Sequence, residues 1–184
     1  MKKKYNIIYA DPPWRYDYCR SKKREIENHY QTMTKDDLCK LPVCELADND
    51  AILFMWVTYP KLDWFLDIVK AWGFEYKTVA FVWVKKNKKA DSFFWGMGNY
   101  TRSNSEMCIV ATKGKSLKRL TASIHQIIYE PIAAHSKKPD IVRDNIVGLF
   151  GDLPRVELFA RNKSEGWDVW GNEVECTAEL PCSV

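Results

Sequence analysis

Apolar runs of strand length alternate with segments of helical period along most of this chain, and that alternation restricts its fold more than any other feature. Residues 5–11, 51–57, 77–85, 106–114, 124–131 and 155–161 read as strands, and 167–171 as a short last one. AILFMWV (51–57) is apolar at every position, the pattern of a strand covered on both faces. Between strands, Leu62, Phe65, Leu66, Val69 and Trp72 recur at helical spacing, opened by Pro60 and stopped by Gly73. A second helix over 139–151 has Pro139 in its first turn and a stripe of Ile141, Val142, Ile146, Leu149 and Phe150. Such alternation predicts an α/β fold with a mostly parallel sheet flanked by helices. The expected organisation is one domain over residues 1–174 and a flexible tail over 175–184. In sheets of this type, ligands collect at the carboxyl ends of the strands.

The first carboxyl end is unusual. YNIIYADPPWRY (5–16) runs from a strand straight into an acid, two prolines and a tryptophan. Two prolines fix two φ angles and remove two backbone donors. Pro12 also forces Asp11 out of helical geometry. A rigid carboxylate therefore stands at a strand end, followed by carbonyls without competing donors and an indole, Trp14. This set suits an exocyclic amine on an aromatic base. The amine's lone pair is conjugated with the ring, so it must become more tetrahedral before it can attack carbon. Asp11 and the Pro12 carbonyl could hold its two hydrogens, and Trp14 could stack the base, an interaction of about 1–3 kcal/mol. The base would be unpaired or flipped out. A purely structural turn remains an alternative at this point.

Other cues narrow the chemistry. No GxGxxG turn or P-loop is present, so no loop motif signals a dinucleotide or a nucleoside triphosphate. The six cysteines form no CxxC pair, which predicts reduced thiols and no metal site. The net charge of +4 is mild, but basic residues cluster at Arg20–Arg24, Lys85–Lys89 and Lys113–Arg119, as phosphate contacts or as solvated loops. Trp56, Trp64, Trp72 and Trp83 lie in regular elements and are expected in the core. No run of about 18 uncharged apolar residues occurs, and the apolar run after the basic start is too short for a signal peptide. The expectation is a cytoplasmic protein.

The joint pattern of motifs resembles the N6-adenine methyltransferases named for the seventy-kilodalton subunit of the mRNA adenosine methyltransferase, in particular their small bacterial and phage members. DPPW (11–14) is followed by NHYQTM (28–33), WGMGNYTRSNSEMCIVATKG (95–114), HSKKPD (135–140), RVELFAR (155–161) and GWDVWGNE (166–173), in the family's order. The resemblance implies a Rossmann-like fold with S-adenosylmethionine as cofactor, and the catalytic tetrapeptide ahead of the cofactor strand, a permuted motif order. It assigns catalysis to Asp11, Pro12, Pro13 and Trp14. It assigns cofactor contacts to Asp11, Lys138, Arg161, Asn172 and Glu173. Substrate contacts fall on Trp14, Tyr16, His29, Tyr30, Asn99, Tyr100, Arg102 and Lys138, and His135 is expected behind them. Glu106 is compatible with a residue that only knits its loop.

The expected reaction is methyl transfer to the N6 amino group of adenine in DNA. The same reaction on RNA is the first alternative, since an unstacked adenine is alike in both. An inactive homologue that binds nucleic acid or scaffolds a partner is the second, and the intact DPPW weighs against it. A protein-amide transferase would favour an NPPY-like tetrapeptide. Substrate binding would come from this domain, a second copy or a related subunit.

Overall fold

The computed structural model describes residues 3–16, 32–98, 100–133 and 137–180. His29, Tyr30, Asn99, His135 and the Arg20–Arg24 cluster lie outside these residues. The described residues form one seven-stranded sheet in the order β5-β3-β4-β2-β1-β6-β7. The strands are β1 (Tyr5–Ala10), β2 (Ala47–Val57), β3 (Glu75–Lys86), β4 (Ser105–Lys113), β5 (Ile127–Pro131), β6 (Arg155–Leu158) and β7 (Asp168–Trp170). The helices are α1 (Lys35–Lys40), α2 (Leu62–Ala71) and α3 (Ile141–Phe150). β4 runs antiparallel to β2 and β3, and every other pairing is parallel. The expected α/β Rossmann-like architecture is present, with this one reversed strand that the sequence pattern did not reveal.

Alternate residues of the central strands feed two cores, as the pleat requires. Ile8, Ala10, Leu53, Met55 and Val57 face a cluster completed by Phe65, Ile68, Val69 and Trp72 around α2. Ile7, Tyr9, Ile52, Phe54 and Trp56 face a second cluster with Val142 and Ile146 of α3. Burial on both faces is why these strands read as continuous apolar runs.

Several local expectations change. Leu62 and Leu66 are exposed, so only part of the expected α2 stripe is core. A 3-10 turn over Tyr59–Lys61 takes the place of the first helical turn, and Lys61 lays its ammonium 3.8 Å from the Trp64 ring centre. α1 has no counterpart among the expected helices. Its Thr34–Asp37 capping box satisfies the start of a six-residue helix too short for a periodic signal. The strand expected over 155–161 stops at Leu158 because Phe159 adopts φ 62°, outside strand geometry. Thr177 and Ala178 donate backbone hydrogen bonds to the Val169 carbonyl, and Ala178 and Leu180 are buried. No helix among the described residues is long and apolar enough to cross a membrane.

Candidate active site

The site lies where the strand order reverses. From β1 the chain proceeds to β2 on one side, while β6 and β7 lie on the other. Ala10 pairs with Leu158, and Leu158 with Trp170, so the carboxyl ends of β1, β6 and β7 are level. A crevice at such a reversal is the usual ligand position in an open α/β sheet. Asp11, Phe159–Arg161 and Gly171–Glu173 all emerge there.

The DPPW segment is pinned after it leaves β1. Trp14 N donates to Pro12 O at 2.9 Å, Met33 N to Pro13 O at 2.8 Å, and Arg15 N to Met33 O at 3.2 Å. These bonds set the path of residues 12–15 independently of side chains. They also occupy one acceptor position of the Pro12 carbonyl, which has two. Tyr16 Oη donates to Thr58 Oγ1 at 2.7 Å, tying the next residue to the end of β2.

Asp11 belongs to a row of alternating charges. Lys138, just ahead of α3, places Nζ 2.8 Å from Asp11 Oδ2 and 3.2 Å from Glu106 Oε2. Glu106 Oε1 lies 2.5 Å from Lys85 Nζ. Glu106 can reach this end of the sheet because β4 is reversed: its second residue stands beside the last residues of β3, with Glu106 opposite Trp83. The Lys138 ammonium also lies 5.6 Å from the Trp56 ring centre. Trp56 Nε1 in turn donates to Tyr9 Oη at 2.6 Å, which fixes the ring.

Burial and partners oppose one another in this row. Burial pushes the Asp11 carboxyl above its ordinary value; Lys138 pulls it down, and the Glu106 carboxylate pushes it up. Glu106 is also penalised by burial, but Lys138 and Lys85 outweigh that and hold it below the usual range. Lys138 is held well above the ordinary lysine value. Burial opposes its charge, and Asp11 and Glu106 overcome that penalty. Lys138 therefore stays charged at neutral pH, and Arg161 adds a smaller downward pull on the Asp11 carboxyl.

A second pair steadies the element that delivers Lys138. Arg143 of α3 makes a two-pronged bond to Glu157 of β6, 2.7 Å at each prong, and its guanidinium lies 5.5 Å from the Tyr9 ring centre. The signal in sequence was Glu157, a carboxylate inside the buried strand RVEL, but no partner could be named from spacing alone.

On the β6–β7 side, Arg161 Nε lies 3.7 Å from Glu173 Oε1, and Asn172 is exposed beside them. Gly171 permits this arrangement. A Cβ at that position would lie 2.1 Å from the Ala160 carbonyl oxygen, so only glycine lets the two backbones meet. Phe159, in its left-handed conformation, packs edge-on against Trp170 at 5.4 Å and stacks on Trp72 at 6.5 Å. Strain of this kind collects at functional sites.

Other sequence assignments land elsewhere. Trp14 is 5% exposed and belongs to the α2-side core, with no partner for its Nε1 among the described residues, so in this structure its ring is not presented for stacking. Arg102 spends its guanidinium on its own loop, donating to Trp95 O at 3.0 Å. Tyr100 is fully exposed. The Lys113–Arg119 cluster follows β4 and so lies at the opposite end of the sheet from Asp11. Among the described residues, no cluster of His, Cys, Asp and Glu could hold a metal ion.

The MT-A70 family model matches residues 5–173. The type II methyltransferase M.MunI of a Mycoplasma species is 39% identical over 191 residues, which cover 94% of this chain and 79% of that protein. An N(6)-adenosine-methyltransferase MT-A70-like protein of Drosophila melanogaster is 30% identical, and the human N(6)-adenosine-methyltransferase catalytic subunit METTL3 is 28% identical. Each of these two matches covers 94% of this chain, but only 27% and 28% of the animal proteins' own lengths.

Proposed function

The chain belongs to the MT-A70 family, and from that premise we propose that it transfers a methyl group from S-adenosylmethionine to the N6 amino group of adenine in nucleic acid, DNA being favoured. The observation that carries the reading is the ion-paired Asp11 at the strand-order reversal, level with the ends of β6 and β7. DNA is favoured because the relative matched over most of both chains is named a type II methyltransferase. RNA is the second reading, supported by the relatives named adenosine methyltransferases, which this chain matches over about a quarter of their length (27% and 28%).

The residues at the strand ends fit the cofactor. Asp11 offers a carboxylate to a cation, Arg161 a guanidinium to a carboxylate, and Glu173 and Asn172 acceptors and donors to ribose and adenine edges. The close approach of Gly171 to Ala160 brings these groups to one crevice. When bound, S-adenosylmethionine supplies a methyl group on a positively charged sulfur.

The remaining work falls to the chain. Asp11 accepts one hydrogen of the adenine amino group, and the second acceptor position of the Pro12 carbonyl takes the other. This pulls the nitrogen away from planarity and frees its lone pair. Lys138 opposes the upward push of burial on the Asp11 carboxyl and aims it. As the new N–C bond forms, the nitrogen becomes acidic and Asp11 stands where it takes the departing proton. Positioning of this kind, rather than a strong base, lowers the barrier. The test supplies radiolabelled S-adenosylmethionine with single-stranded DNA, duplex DNA and RNA in parallel, followed by digestion and mass spectrometry of the nucleosides. N6-methyladenine from DNA is expected; label confined to RNA would transfer the reading to RNA, and label in none would overturn it.

A further inference from the structure

The loop joining β3 to β4 (87–104) leaves the sheet at the same end as Asp11, because β3 finishes there and the reversed β4 begins there. Phe93 and Trp95 of this loop are 45% and 53% exposed, and Tyr129 of edge strand β5 is 56% exposed. Phe93 links the other two, with ring centres 6.4 Å from Trp95 and 6.3 Å from Tyr129. Their exposure is built in. Phe94 N donates to Lys85 O at 2.9 Å, Gly96 N to Ser103 O at 2.7 Å, and Asn104 Nδ2 to Lys85 O at 2.9 Å, while Arg102 holds the Trp95 carbonyl. A loop fixed in this way holds Phe93 and Trp95 in water beside Tyr129 of β5, and a contiguous apolar patch of this kind marks an interaction surface.

Charge selects the occupant. Exposed Lys88 and Lys89 belong to the same loop as Phe93 and Trp95, and Lys86 is paired with Asp91. Two copies of this patch facing each other would bring like charges together. A chain of flat bases on a polyanionic backbone suits both features at once. Resting on the reading above and extending it, we propose that Phe93, Trp95 and Tyr129 form a stacking platform for unpaired bases beside the target adenine, with Lys88 and Lys89 on the phosphates.

The test uses the full chain and a labelled oligothymidylate without any methyl donor. Lacking adenine, this strand reports the platform separately from methyl transfer, so either reading can fail alone. Fluorescence anisotropy should show Trp95→Ala and Phe93→Ala weakening binding by about fivefold or more, within the range expected for losing one stacked base. The salt slope should stay unchanged in these variants, whereas Lys88→Ala and Lys89→Ala should each flatten it by roughly one. As a measurement on the unsubstituted protein, photocrosslinking with a 5-bromouracil strand should give adducts at Phe93, Trp95 or Tyr129. Adducts only elsewhere would overturn the platform. So would ring variants of unchanged affinity, or a wild-type dimer in sedimentation that Trp95→Ala dissociates without altering affinity for the strand.

Discussion

Lys138 Nζ contacts Asp11 Oδ2 at 2.8 Å although the two residues stand 127 positions apart in the chain. The contact joins the end of β1 to the segment that opens α3, and Glu106 supports it from the far side of the ammonium at 3.2 Å. Removing charges from water is costly, and the cost is met only when each has a partner in good geometry. Lys138 has two carboxylates, and Glu106 has two ammoniums. Asp11 has Lys138 on one oxygen, and the Arg161 guanidinium adds a second positive influence on its carboxyl.

Asp11→Asn keeps the shape of the side chain but removes its charge. Methylation should fall at least about a hundredfold, the scale of losing one preorganised acceptor or donor in a transition state. Turnover should fall further than cofactor affinity, because the contact of Asp11 to the reacting amine bears on turnover alone. Radiolabel transfer and calorimetry with S-adenosylhomocysteine measure the two separately. Wild-type turnover in Asp11→Asn would refute the assignment.

The pH dependence follows from the direction of the Asp11 shift. Burial raises its native value, with Lys138 opposing. A raised native value means that this group's contribution to stability is fully present below its unfolded value and is lost as pH rises through the native one. Activity needs the ionised form, so the acid limb of turnover should lie above the ordinary range of an aspartate. Lys138→Met removes the opposing charge and should move that limb to higher pH. A limb that stays in place or moves down in a pH–rate profile would separate Lys138 from Asp11.

The pair Arg143–Glu157 makes a prediction about stability. Its side chains are 15% and 9% exposed. Arg143→Met strands a buried carboxylate and should cost about 3–5 kcal/mol in denaturant unfolding. The double variant Arg143→Met/Glu157→Leu should recover much of that loss, since no charge is left unpaired. Equal stability of the single and double variants would show that packing, not charge, is what Arg143 supplies.

The sequence made part of this legible for physical reasons. Buried strands announce themselves by apolar composition, and prolines fix a strand end, so β1 and Asp11 were readable. Motif resemblance carried Lys138 and Arg161 to that end. Strand direction was not readable, because a strand covered on both faces has the same pattern either way, and Glu106 reaches Lys138 only through the reversal of β4. Trp14 in loop sequence looks alike whether it points inward or outward, and its burial is set by α2-side packing from distant residues. The Arg143–Glu157 bond and the Phe93–Trp95–Tyr129 surface likewise join elements whose proximity is a product of the whole sheet.

Gly171 offers the sharpest test of the cofactor crevice. Alanine there would put its Cβ 2.1 Å from the Ala160 oxygen and 2.8 Å from the Ala160 nitrogen. Both are backbone atoms, so relief requires that the ends of β6 and β7 separate; no rotamer change suffices. The hydrogen bond from Ala160 N to Trp170 O, 3.0 Å long, lies directly in the path of that movement. Asn172 and Glu173 would shift away from Arg161, while Asp11, Lys138 and Glu106 are held by other elements. Gly171→Ala should therefore weaken binding of S-adenosylhomocysteine by an order of magnitude or more, by analogy with the cost of a small displacement in a positioned site. Oligothymidylate binding at the β3–β4 loop should be preserved, which distinguishes a local effect from unfolding. Calorimetry and anisotropy on one preparation read both. Undiminished cofactor affinity in a folded Gly171→Ala protein would place the cofactor away from the β6–β7 end and remove Arg161, Asn172 and Glu173 from its site.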